Sequence, residues 1–428
     1  MNRKPTSLSQ AYPSGASYFY GYPVGTDSGF LNHCPPADEE LVAMRAGVCA
    51  GSDTRVVVFA STISDRVWNL LKHDLGVPYA DKDQFIVLPS SIDASVLGQE
   101  RNQQVKVALA SHVPQKSLVM AQPYLDPALA NTYLLDPDMC VGLNDKKNYD
   151  EYVPVEHRIP EYARCVGGGE FAALSAESFP YPCVVKVSSS GSGDGVRLCK
   201  GSVEFRAAQQ QFKDCDGIIM VQKMIDIARE TEIKFAVPQD ASAQPQLIGY
   251  SDEVTGTNGE YLGGVMVNET ETDPVVQKIF AALQQKVLPA VREKGWFGVG
   301  GIGVLIDKDG EFYLCDPNFR MTAMMPQVME MNAGKFGKRS VLGFGGSFPG
   351  TLEDFQKNLG SRARMGDANQ KLNIVSMLEG EAGVQLHGGV LFDQKETLGE
   401  AIAELRCLGL QSDTFEALHH VCLQKYLQ

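Results

Sequence analysis

No stretch of this 428-residue chain holds about 18 consecutive apolar residues, so no membrane-spanning helix is expected. Residues 1–15 lack the apolar run of a secretion signal, and none is expected there. Positive charge is in deficit. Against 52 Asp and Glu stand 38 Lys and Arg, a net charge of −14, which argues against nucleic-acid partners and against an anionic membrane surface. The ten cysteines show no C-x-x-C pairing. Cys183, Cys199 and Cys315 sit instead within apolar strand patterns, as reduced core residues do. No Gly-x-Gly-x-x-Gly turn follows the first apolar strand, so a dinucleotide site is not expected there. Seven scattered histidines offer no Ser-His-Asp or Cys-His arrangement, and neither repeats nor low-complexity tracts occur. These absences lead to the expectation of a soluble, cytoplasmic protein.

What the chain does have is globular composition. With 44% hydrophobic and 21% charged residues there is ample core material, and the length suits about two to four domains. Residues 1–50, rich in Gly, Pro, Ser and Tyr and without periodicity, read as an irregular N-terminal extension. The pattern then changes to an apolar strand at 55–60, an amphipathic helix at 64–75 capped by Ser64, and further strands at 85–88 and 117–121. Strand, helix and strand at these lengths predict a parallel α/β sheet.

The segment 143–158 carries Lys146 and Lys147 at the start of a short helix, a pair that alone is more often solvated. Two short strands at 183–187 and 196–200 flank the loop from Ser188 to Gly195. Its glycines and serines can turn successive N–H groups and hydroxyls toward an anion, although a merely flexible hairpin reads the same way and the loop is no Walker A motif. Lys186 is more telling: flanked by Val184, Val185 and Val187 it needs a partner, and a phosphate is a good one. A strand at 218–221 runs into Gln222, Lys223, Met224 and Ile225, which can offer backbone groups to an adenine edge. Arg229, Glu230, Thr231 and Glu232 precede a strand at 233–237, and another follows at 246–250. A helix over 273–294, with Pro274 in its first turn and Gly295 as its stop, leads to a hairpin closed by Lys308-Asp309-Gly310. On the returning strand Asp316, Asn318 and Arg320 share one face. The carboxylate and amide oxygens are hard metal ligands and the guanidinium fork can hold an oxyanion; alone, the triplet equally suits a polar strand end.

The order of these parts resembles the ATP-grasp superfamily over roughly residues 141–325. The resemblance implies an α/β N-terminal domain with a parallel sheet at 51–140 and α+β ATP-grasp subdomains at 141–345, with a small lid at about 180–250. A small C-terminal α+β domain at 346–428 completes that division. It implies ATP with Mg2+, or Mn2+ in its place. Carried over position by position, Lys146 and Lys186 look like the phosphate-contacting lysines, with Lys147 an alternative to the first. Ser188, Ser189, Ser190, Gly191, Ser192, Gly193 and Gly195 look like the mobile loop over the phosphates. Gln222, Lys223, Met224 and Ile225 fall where the adenine is held, and Glu230 or Glu232 where the ribose is. Asp316, Asn318 and Arg320 match a Glu-x-Asn-x-Arg motif with aspartate for glutamate, the first two as metal ligands, and Arg320 and Lys186 as the catalytic groups. One position departs from the pattern. The second metal-binding acid of the family falls at Gly303, and Asp307 lies about 13 Å further along the strand.

Beyond Arg320, Met321, Met324, Met325 and Met329 read as adaptable core or as the lining of an acceptor pocket. Lys335, Lys338 and Arg339 would suit a substrate carboxylate or phosphate, or else form a solvated loop. Strands at 372–378 and 384–392 and a helix at 398–408 make up the C-terminal segment. Most members of the superfamily are carboxylate–amine or carboxylate–thiol ligases. The resemblance therefore implies activation of a carboxylate as an acyl phosphate, attack by an amine, and release of ADP and phosphate. Small amino-acid-like molecules are the expected partners, and a homodimer is left open. Three rivals stay open too: lactam closure by the same chemistry, a kinase, and a nucleotide-binding protein with chemistry weakened at Gly303.

Overall fold

Four short strands, β1 (Ser17–Phe19), β2 (Arg55–Phe59), β3 (Phe85–Leu88) and β4 (Leu118–Met120), form a parallel sheet in the order β3-β2-β1-β4. The computed structural model describes residues 4–21, 36–89, 98–121, 127–190, 195–256, 259–268 and 273–420. The period of two sorts these strands' side chains onto two cores. Tyr18, Val56, Val58 and Val119 face the rest of the chain, whereas Phe19, Val57, Phe59 and Met120 pack beneath the helix Gly98–His112. β1 corrects the expectation of an irregular extension over 1–50, because it is an inner strand between β2 and β4. Three residues are too few to show a period, but Tyr18 and Phe19 are wholly buried.

The next four strands, β5 (Glu161–Val166), β6 (Cys183–Val187), β7 (Val196–Cys199) and β8 (Ile218–Lys223), form a small antiparallel sheet in the order β5-β8-β6-β7. Cys183, Val185 and Val187 point into a private core with Phe171 and Phe205 from the helices Gly167–Ala172 and Ser202–Gln211. The alternate positions, Val184 and Lys186, turn to the other side and line a cavity.

Eight further strands make one antiparallel sheet. They are β9 (Ile227–Val237), β10 (Gln246–Thr255), β11 (Tyr261–Met266), β12 (Gly298–Asp307), β13 (Phe312–Asn318), β14 (Ser340–Phe348), β15 (Leu372–Gly380) and β16 (Gly383–Phe392). Their order is β13-β12-β9-β10-β11-β14-β16-β15, so the C-terminal strands join the same sheet through β14. β9 starts earlier than expected, and Arg229 to Glu232 lie within it and not before it. A charged run fits a strand here because Arg229 is committed to Asp252 (2.8 Å) and Asp273. The helical run of 274–293 packs Ile279, Leu283 and Leu288 on Phe235, Trp296 and Ile302. No helix among the described residues is long and apolar enough to cross a membrane.

The parallel sheet is tied to the large one by tyrosines. Val299 N–H donates to the Tyr12 hydroxyl oxygen (3.2 Å), and Met321 N–H to that of Tyr18 (2.8 Å). Glu330, on the helix Met325–Asn332, is buried in this shared core and accepts from Asn373 Nδ2 (3.0 Å). Burial pushes its carboxyl from the ordinary 4.5 up to about 8, against the smaller pull of Asn373 and Lys335. Between those two values the folded chain holds a proton that the unfolded chain has released. Stability should therefore fall as pH rises through the window, at a limiting slope of about 1.4 kcal/mol per unit. Glu330→Gln should flatten the slope in denaturation curves taken from pH 5 to 9; parallel curves for the two proteins would show that Glu330 is ionised in the fold.

Candidate active site

Between the small and large sheets lies a cavity of about 870 Å3, whose far end reaches the N- and C-terminal segments. Its floor is set by a defect in the hairpin. Gly303 pairs with Asp316 and Val304 with Leu314, so Cys315 is an extra residue on β13. A bulge re-aims side chains, and both Cys315 and Asp316 line the cavity, with Asn318 and Arg320 beyond them. The backbone around Arg320 is pinned on both sides. Phe319 N–H donates to Asn144 Oδ1 (3.0 Å), and its carbonyl accepts from Trp296 Nε1 (3.2 Å), while Tyr18 holds Met321.

Lys146 and Lys186 both line the cavity. Lys146 Nζ meets Asp316 Oδ1 at 2.8 Å and the Ser190 carbonyl at 2.9 Å. Lys147, the alternative, is turned to Asp145 (3.1 Å) and is absent from the cavity wall. Burial pushes the Asp316 carboxyl up, but Lys146, the Asn318 amide (3.0 Å) and Arg320 outweigh it and hold the group below the usual carboxylate range. The site thus carries an ionised aspartate.

Gly303 lies between Asp316 on β13 and Glu232 on β9, in register with both. Glu232 is the carboxylate nearest in register to the missing acid, and its Oε2 is committed to Lys234 Nζ (2.6 Å) and Thr322 Oγ1 (2.8 Å). The carboxylate leans over Gly301, where any Cβ would come within 2.5 Å of Oε1. Glu230 also lines the cavity, as does Glu253 of β10. Burial first, then Glu230, Glu232 and Asp316, push the Glu253 carboxyl well above its ordinary range. Asp307 does not take the vacant role. Its Oδ1 accepts from the amides of Asp309 (3.0 Å) and Glu311 (2.9 Å), which closes the hairpin turn. Among the described residues no group of three or more His, Cys, Asp and Glu is disposed to hold a metal.

The loop ends are fastened to the sheet. Ser188 N–H donates to Ile218 O (2.8 Å), Ser190 Oγ to Val187 O (2.9 Å), and Val187 N–H to Gly195 O (2.9 Å). Ser190 lines the cavity; Ser188, Ser189 and Gly195 do not. Gly191, Ser192 and Gly193 lie outside the described residues. Gln222, Lys223, Met224 and Ile225 all line the cavity. Beside them is a slot unforeseen from the sequence. Ile159, Ile225, Leu305 and Cys315 form one apolar wall, and Val184, Val196 and Leu198 come from the small sheet opposite. Leu198, 40% exposed, presents its apolar surface to that gap.

Two expectations fail or narrow. Lys335, Lys338 and Arg339 line no part of the cavity: the lysines are exposed, and Arg339 donates to Phe336 O and Gln370 O. The methionines at 321, 324, 325 and 329 are at most 2% exposed and belong to the core. Sequence reasoning also missed Lys234, wholly buried and donating to Ser251 Oγ (2.6 Å). Its setting among Ile233, Phe235 and Val237 was the same signal that drew attention to Lys186. Arg45 and His387, at the far end of the cavity, carried no signal at all.

A small antiparallel sheet beside a large one, with Lys146, Lys186 and the strand carrying Asp316, Asn318 and Arg320 lining the cavity between them, is similar to the arrangement of ATP-grasp proteins. Residues 168–318 match the family described as L-aspartate–L-methionine ligase, ATP grasp. The chain is 27% identical over 205 residues to biotin carboxylase 2, chloroplastic, of Populus trichocarpa, covering 46% of this chain and 38% of that protein. It is 27% identical over 168 residues to a D-alanine–D-alanine ligase of Geotalea uraniireducens, covering 37% and 52%. The matched regions thus span about a third to a half of those relatives. Among solved structures, the ADP complex of an N5-carboxyaminoimidazole ribonucleotide synthetase superposes with a TM-score of 0.55 at 11% identity, over 96% of this chain and 99% of that one. Biotin carboxylase of Campylobacter jejuni follows at 0.52 and 13%, over 87% and 90%.

Asp307→Ala should cost about 1–2 kcal/mol of stability in chemical denaturation, since it removes the acceptor of two turn amides. Affinity for a fluorescent ATP analogue should stay within about twofold, and a tenfold loss would move Asp307 into the site.

Proposed function

We propose that this chain is an ATP-dependent carboxylate–amine ligase that activates a carboxylate as an acyl phosphate and joins it to an amine, acting on amino-acid-like small molecules. The observation that carries the reading is the single cavity in which Lys146 and Lys186 meet Asp316, Asn318 and Arg320. The adenine would lie in the apolar slot against Gln222–Ile225, with Glu230 or Glu232 toward the ribose. The unit 141–345, with 180–250 as its lid, would hold the nucleotide, and Ser188 to Gly195 would cover its phosphates.

The donor chemistry fits magnesium, because the ionised carboxylate of Asp316 and the amide of Asn318 offer hard oxygens and phosphate oxygens can complete the shell. When bound, the ion neutralises phosphate charge. The substrate carboxylate attacks the γ-phosphorus and ADP leaves, giving the acyl phosphate. Lys146 and Lys186 offset the charge that builds on the transferring oxygens. The amine then attacks the acyl carbon, Arg320 holds the oxyanion of the tetrahedral intermediate, and phosphate departs as the amine loses a proton. Loop closure excludes water, which would otherwise hydrolyse the acyl phosphate.

The test is incubation with ATP, Mg2+ and pairs of amino acids. ADP and phosphate in equal amounts, with a condensed product by mass, support ligation; ADP without phosphate would indicate transfer to a hydroxyl. Lys186→Ala should lower turnover by about 10²–10³-fold with an unchanged melting temperature. Asp316→Asn should lower turnover to a similar extent and shift the magnesium dependence upward, and because it leaves the buried Lys146 without its counter-charge it should also lower the melting temperature. Near-normal turnover in either variant would remove that residue from the mechanism.

A further inference from the structure

The cavity is larger than the apolar slot and the phosphate-binding lysines require, and its far end is built from the two ends of the chain. Tyr20 and Arg45 come from the N-terminal segment, His387 from β16, and Gly345 and Gly346 from β14. Of these only the glycines and His387 belong to the large sheet, and all lie outside the matched residues 168–318. The guanidinium of Arg45 is fixed at two points. Its carbon lies 5.9 Å from the centre of the Tyr20 ring, and its Nε donates to His387 Nδ1 at 3.0 Å. His387 stands opposite Gly345, where an added Cβ would come 3.3 Å from the imidazole Cδ2, so glycine leaves the ring its place. Burial and then the charge of Arg45 keep the imidazole neutral, against the opposing contact with the Leu41 carbonyl, which agrees with Nδ1 acting as acceptor.

With Nε spent on His387 and one face on Tyr20, the Nη edge of Arg45 is what remains for a ligand in the cavity. A planar fork of that kind matches a carboxylate. A polyphosphate is a poor fit, because Asp38 lies within electrostatic reach of Arg45 and lines the same cavity. One cation beside a carboxylate suits a zwitterion. We propose that Arg45, oriented by His387, binds the carboxylate of an α-amino-acid substrate that is not itself activated, with Asp38 facing its ammonium. The assignment rests on the ligase reading for the word substrate, but it makes a claim about binding that can be tested without turnover. It places substrate choice in the chain's two ends and leaves the nucleotide chemistry to its middle.

The experiment is calorimetric titration of the full chain with free amino acids and with their α-carboxamides, in the presence of Mg2+ and a non-hydrolysable ATP analogue. The wild type should bind at least one amino acid and bind its carboxamide at least tenfold more weakly. Arg45→Gln should abolish that preference and Arg45→Lys should reduce it, both with unchanged affinity for the ATP analogue, which also reports that they are folded. His387 is a positioning residue. His387→Leu should raise the KM for the amino acid with little change in kcat, and His387→Asn, which restores an acceptor for Nε, should recover most of the loss. A wild type that binds no amino acid, or treats acid and amide alike, overturns the proposal, as does an Arg45→Gln variant that keeps the preference. Failure of phosphate release with every amino-acid pair would instead overturn ligation and leave the binding result standing.

Discussion

The ion pair between Lys146 and Asp316 is the contact on which the site depends. Its ammonium is almost wholly buried and joins three parts of the chain that are far apart in sequence: the helical turn at 146–151, the strand β13, and the loop after β6 through the Ser190 carbonyl. A buried charge without partners would cost several kcal/mol, so the three elements are constrained to meet there. That meeting point is also where a triphosphate and its metal would be received. The cation and the anion neutralise each other while they wait, and each has a natural counterpart in the ligand. The same contact thus serves assembly and chemistry.

Around that pair the cavity divides by polarity. On one side the apolar walls of Ile225, Leu305, Val184 and Leu198 would take a flat base with little need for hydrogen bonds. On the other side carboxyls gather around Lys234 and Arg45, and the glycines of β12 make this crowding feasible. Gly301 lets Glu232 lie over the strand, and Gly303 separates Glu232 from Asp316. An acid at 303 would add one more like charge between two carboxylates already in register. Its absence therefore reads as part of a different distribution of charge, in which Lys234 and Thr322 hold the acid that the neighbouring strand supplies.

Much of the site was legible in the sequence because a charged residue within an apolar run stands out. Lys186 among valines and the Asp-Gly turn before Asp316 are both local signals, and the order of such signals led to the fold. Other features were hidden for identifiable reasons. β1 has three residues, too few for a period. The run Arg229 to Glu232 was expected to precede its strand because it lacks apolar residues; in the fold its charges are paired with neighbouring segments, Arg229 with Asp252 and Asp273. The bulge at Cys315 leaves no mark in composition, though it decides which residues face the cavity. Arg45 and His387 are 342 residues apart and meet only in the folded chain. Conversely, the basic cluster at 335–339 was an attractive local pattern that the fold carries away from the cavity.

The central claim, that a carboxylate oxygen attacks ATP before any amide forms, can be read from a single isotope. Amino acids labelled with 18O in their carboxylates would be supplied with ATP and Mg2+, and the released phosphate examined by mass. An acyl phosphate intermediate transfers one carboxylate oxygen to phosphate, so the account predicts phosphate carrying one 18O per turnover in step with ADP formation. Unlabelled phosphate formed at the same rate as amide product would contradict it, because the carbonyl would then have been activated without attack on the γ-phosphorus.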